Sequence, residues 1–167
     1  MLSGLKNEFI RRVCEESIPR IKQCLSMLTE EEIWYRQHEH VNSVGNLVLH
    51  LNGNVRQWIL SGLGGLQDNR IRYTEFIPDQ GLSAGVLSQM MDNLDHDLRP
   101  VIHNLTEEAI ESTHKVQVFE ETGLSILIHV IEHFSYHTGQ ITLLTKQMTQ
   151  KPTNYYGDLN LETHGES

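Results

Sequence analysis

The stretch from about Leu124 to Met148 constrains this chain most. Its apolar residues recur with a helical period, and three histidines, His129, His133 and His137, are set into it four residues apart. With His137 as origin and 100° per residue, Ile126, Val130, His133, Ile141, Leu144 and Met148 fall within roughly 40° of it. His129 falls about 80° away, on the edge of the stripe. A helix with one apolar stripe has to bury it against other elements. The fold therefore takes two imidazoles inside with the stripe and leaves one flanking it.

Three more amphipathic stretches are legible. The first runs from about Ser3 to Leu28 on Leu5, Phe9, Val13, Ile21, Leu25 and Leu28, with a kink expected at Pro19. The second starts at Ser43, a suitable N-cap, and reaches about Ser61 on Val44, Leu47, Val48, Leu51, Val55 and Trp58. The third runs from about Ser83 to Arg99 on Val86, Leu87, Met90, Met91, Leu94 and Leu98, and Pro100 is expected to end or kink it. Gly62-Leu-Gly-Gly65 closes the second stretch, and an irregular segment with Pro78 and Gly81 follows. Lys115-Val-Gln-Val-Phe119 alternates briefly, as a short strand would.

Four amphipathic helices with some long connections predict an all-α four-helix bundle. The chain's 167 residues suffice for one domain with a real core. We expect the bundle over residues 1–150 and a polar tail over 151–167, ordered only by docking onto something else.

Thirteen Lys and Arg against 22 Asp and Glu give a net charge of -9, which argues against a nucleic-acid backbone or an anionic membrane as partner. Arg11-Arg12 is the only adjacent basic pair, too little for a nucleic-acid footprint. No apolar stretch is long enough to span a bilayer. The N-terminal residues lack the apolar run of a signal peptide, and Cys14 and Cys24 lie too far apart on one helix to bridge. A reducing cytoplasm is expected, with both cysteines as small core residues.

Residues four apart share a helix face, about 6 Å apart along the axis, and two imidazoles so placed can close on one metal ion. A third ligand has to come from another helix. His50, in Asn46-Leu-Val-Leu-His50, lies roughly 100° from the centre of the second stripe, at the border from which a side chain reaches a cleft. Asn54 and Trp58 share its neighbourhood; Trp58 fits the core as well. His38 and His40 precede the helix in a polar stretch, His96 lies between two aspartates, and His103, His114 and His164 sit at or beyond helix ends. With ten histidines a chance pair is expected, so spacing alone supports metal ligation and hydrogen-bonded core histidines equally.

Two segments resemble the DinB/YfiT-like superfamily, closest to a DinB-related branch of uncharacterised bacterial proteins. They are His50-Leu-x-Gly-Asn-x-x-x-Trp58 and His133-x-x-x-His137-x-Gly-Gln140-Ile141, and the likeness extends over about residues 1–150. It implies a four-helix bundle of up-down-down-up order, often dimeric, with a divalent metal held by His50, His133 and His137. Zinc or nickel comes first, then iron or manganese. His129 matches a position that is often histidine but is not a usual ligand. Thr138 stands where many relatives have Arg, and on the helical wheel it points away from the metal face.

Three neutral imidazoles leave an open coordination position that can take a water or a thiolate. Characterised relatives in that superfamily include enzymes that use low-molecular-weight thiols such as bacillithiol or mycothiol, for S-transfer or isomerisation. The resemblance thus implies a thiol S-transferase acting on a small electrophile. A metal-water hydrolase and a non-enzymatic metal-binding stress-response bundle are the alternatives. Gln140, one turn after His137, is placed to hydrogen-bond a ligand or to pack between helices. Glu132 and Tyr136 read as solvated or interface residues, and Gly139 as a point of close helix contact.

Overall fold

Residues 2–27 form one continuous helical stretch in the computed structural model, which describes residues 1–157 and 159–162. Helix α1 (Leu2–Ile10) passes through a π-helical turn (Arg11–Ser17) into α2 (Ile18–Met27). The Ile18 amide donates to the Val13 carbonyl, five residues back. Pro19, which has no amide hydrogen, follows directly in the first turn of α2. The expected kink is thus a widened turn placed just before the proline.

A capping box joins Thr29 and Glu32 at the start of the short α3 (Glu30–Trp34). Ser43 caps α4 (Val44–Val55), accepting from the Asn46 amide. A second π-helical turn (Arg56–Ser61) extends α4, and the Gly62 amide reaches back to the Gln57 carbonyl at 3.0 Å. The irregular segment after it contains one 3₁₀ turn (Arg72–Phe76).

Helix α5 (Ala84–Asn104) continues through Pro100, where the sequence suggested an end or a kink near Arg99. Pro100 is exposed, while Leu98 and Ile102 on either side are fully buried. Burying these two side chains contributes about 1.5–3 kcal/mol each, comparable with the roughly 3 kcal/mol an interior proline costs. After the short α6 (Glu107–Glu111), the expected single strand is a hairpin of β1 (Thr113–Val116) and β2 (Phe119–Thr122). Val116 pairs with Phe119, and Gln117 turns the chain at φ 56°. Helix α7 (Gly123–Thr149) starts on a Thr122 cap and ends at Gln150 in the left-handed region, φ 54°.

Both α2 and α4 pack against α5 and α7. The core between them includes Phe9, Ile21, Leu51, Leu87, Met91, Leu94 and Phe134, all fully buried. Cys14 and Cys24 are free and buried. Part of the tail docks on the chain itself. Gln23 donates to the Thr153 carbonyl, and the Tyr155 hydroxyl lies 2.6 Å from Thr142 Oγ1 and 3.1 Å from Cys24 Sγ. The Arg20 guanidinium covers the Tyr155 and Tyr156 rings at 5.2 and 5.7 Å. His164 lies outside the described residues. Among the described residues no helix is long and apolar enough to cross a membrane.

Candidate metal centre

The contact of α4 with α7 brings His50, His133 and His137 together. His50 and His137 are buried and His133 is half-buried. Each offers one ring nitrogen, and these three atoms lie within 4.8 Å of one another. The Nε2 atoms of His50 and His133 are 3.0 Å apart, a contact that needs one proton between them and that a cation can take over. Metal–imidazole bonds of about 2.0–2.1 Å suit donors at such spacings. The rings stand steeply to one another, at 72°, 88° and 85°, so their edges rather than their faces meet.

The protonation states suit ligation. Burial pushes His133 down to about 3, helped by the positive potential of His137, His50, His129 and Arg70. Burial also lowers His137, against a hydrogen bond to Gln140 that favours its charged form. Both are neutral imidazoles near pH 7, the form a metal requires.

Two of the three rings are held from behind. His137 Nδ1 donates to Gln140 Oε1 at 2.6 Å, and Gln140 in turn donates to the Tyr136 hydroxyl at 3.2 Å. His50 Nδ1 lies 2.9 Å from Glu75 Oε2. A carboxylate only accepts, so this contact places the His50 proton on Nδ1 and leaves Nε2 bare. Burial on its own would raise Glu75, but hydrogen bonds from Arg70 and His50 outweigh it and hold the carboxyl below its ordinary value. Arg70 donates to Glu75 from Nε at 2.7 Å and Nη2 at 2.8 Å, and from Nη1 to Gln57 Oε1 at 2.8 Å. Asn46 Nδ2 ties the segment down through the Glu75 and Ile77 carbonyls, at 2.9 and 2.8 Å. Phe76 packs on the His50 ring at 5.1 Å.

His129 stays outside the converging set. It stacks on Trp58 at 4.0 Å and on His133 at 5.4 Å. Among the described residues its Nε2 is buried without a partner, as is Asn54 Oδ1. Burial lowers its pKa against the pull of Glu121 and Glu132. Glu132 and Tyr136 are exposed, and Thr138 turns into the helix with its hydroxyl on the Phe134 carbonyl. Gly139 does not serve a helix contact, because a Cβ there would meet nothing within 4 Å. His38, His40, His96 and His103 are exposed, and His114 donates to the Ala109 carbonyl at 2.7 Å. Glu75 and Arg70 are the residues sequence reasoning missed. They lie 25 and 20 positions beyond His50 in a segment without periodicity, where charge alone gave no cue.

Two solved structures share the fold. A DinB-like protein from Bacillus cereus superposes with a TM-score of 0.66 at 17% identity, covering 84% of this chain and 90% of its own. A DinB-like protein from Bacillus subtilis gives 0.59 at 16% identity, covering 87% and 92%. The fold is therefore DinB-like, as the two histidine segments suggested. No curated protein matches the chain. The family described as protein of unknown function (DUF1572) matches residues 7–156, and the chain belongs to it.

Proposed function

We propose that His50, His133 and His137 hold one divalent transition metal, zinc or nickel before iron or manganese, and that the protein uses it on small molecules. The convergence of three imidazole donors within 4.8 Å carries this reading. When bound, a dipositive ion on three neutral ligands supplies Lewis acidity and an open position, which favours the thiolate form of a thiol. The chain's own part is to orient and to exclude water. Gln140 and Glu75 fix two rings, and Trp58 and Phe76 cover the apolar flank.

The reaction we propose is S-transfer. A low-molecular-weight thiol loses its proton to solvent, its sulfur bonds to an electrophilic carbon, and the leaving group departs with the bonding pair. An exogenous thiol is favoured because both cysteines are buried, and burial pushes the Cys14 thiol well up. The net charge of -9 favours small molecules over nucleic acid as partners.

The remaining reading follows the same lines. The packing of α2 and α4 on both α5 and α7 supports an up-down-down-up bundle over residues 1–150, with 151–167 as a tail. Leu124, Ile128, Tyr136 and Leu143 are exposed along α7, which supports a homodimer. Two free thiols support a cytoplasmic setting.

Elemental analysis of the purified protein tests the site. One transition metal per chain is expected, lost in His50→Ala and in His137→Ala. Metal retained in both variants overturns it. Turnover of a small thiol with an alkylating electrophile then separates a transferase from a metal-binding protein without activity.

A further inference from the structure

The connection between α4 and α5 contributes a buried ion pair to the metal centre. Arg70 and Glu75 side chains are 5% and 8% exposed. Taking two charges out of water costs about as much as their attraction returns, so such a pair is poor ground for stability alone. Its geometry points elsewhere. Glu75 Oε2 is on His50 Nδ1 at 2.9 Å, and Arg70 grips both carboxylate oxygens. At Gly53, one turn past His50, an added Cβ would stand 2.1 Å from Glu75 Oε1. The carboxylate thus reaches His50 by lying over the one place on this face of α4 that has no side chain. Carboxylates behind metal-bound histidines fix the tautomer and the ring plane.

We propose that Glu75 is a positioning residue for His50, clamped by Arg70 and admitted by Gly53. This role rests on the metal reading above. It makes the 70–76 segment part of the centre and gives Gly53 a functional reason for being glycine.

Cobalt(II) titration of the metal-free full chain tests it, with affinity read from the visible d–d bands. Glu75→Gln keeps the shape and removes the charge, and Gly53→Ala keeps the charge and displaces it. Asp97→Asn is the control, because Asp97 accepts from Arg56 of the helical stretch that carries His50, at 2.8 Å, without touching His50, Arg70 or Glu75. We expect affinity about 10–100-fold weaker in Glu75→Gln and Gly53→Ala, with shifted bands. Asp97→Asn should match wild type. Variants that lower the melting temperature yet keep wild-type affinity and bands overturn the role and leave the metal site standing. A wild-type chain that takes up no cobalt overturns the metal reading and the role together. Should Glu75→Gln not fold, Gly53→Ala decides, since alanine favours the helix.

Discussion

His137 Nδ1 donates to Gln140 Oε1 at 2.6 Å, three residues along the same helix. The amide oxygen fixes the proton on Nδ1, so Nε2 faces His50 and His133 as a bare donor. Gln140→Leu removes that acceptor without removing bulk. We expect metal affinity to fall about 10-fold or more in the variant. Gln140→Glu, which still accepts, should stay near wild type. Isothermal titration with zinc measures both, and equal affinities in Leu and Glu variants refute the orienting role.

The lowered His133 sets a pH dependence on the metal-free protein. In the unfolded chain this histidine takes its proton near its ordinary value of 6.5, and in the fold only at about 3. Between those values the unfolded state binds more protons, so stability is complete above about pH 6.5 and falls as the pH drops toward 3. His137 and His129 shift in the same direction and steepen the fall. Urea midpoints should hold from pH 8 to about pH 6.5 and then decrease toward pH 5, and His133→Phe should make that decrease shallower. An unchanged slope in that variant sinks the account.

How much of this was legible beforehand differs residue by residue. His133 and His137 could be placed inside because one period governs both their spacing and the apolar stripe around them. His50 needed its position on the border of a second stripe, and the likeness to a family strengthened it. Glu75 could not be read. It meets His50 across 25 residues through a 3₁₀ turn whose placement depends on Asn46, Gly53 and Arg70 together. Helix α5 runs past Pro100 because the burial of Ile102 beyond it outweighs the local preference of a proline to end a helix. Local periodicity reports which face is inside, while contacts made by irregular segments are set by tertiary packing alone.

Asn54 is buried one turn from His50, and its Oδ1 has no partner among the described residues. A stranded carbonyl costs about 1–3 kcal/mol relative to an apolar group of the same shape. Asn54→Leu should therefore raise the stability of the metal-free protein, by about 1 kcal/mol in chemical denaturation. A loss of stability means that the oxygen has a partner in solution and that the site is wet. In either case the measurement says whether Asn54 is maintained for folding or against it.

Asn46 links the cap of α4 to the candidate metal centre. Its Oδ1 accepts from the Ser43 hydroxyl at 2.9 Å, and its Nδ2 supports the Glu75 and Ile77 carbonyls. Asn46→Ala removes the reciprocal partner of the cap and strands two carbonyls, for a loss of about 2–3 kcal/mol. Thr29→Ala removes an exposed cap on α3, for about 1 kcal/mol. The two differ in a second readout. Freeing the Glu75 backbone lets the carboxylate drift from His50, so Asn46→Ala should also weaken metal binding, whereas Thr29→Ala should leave it unchanged. Paired urea denaturation and metal titration make the comparison. If both variants lose stability and neither loses affinity, the segment carrying Glu75 is held in place by something other than Asn46.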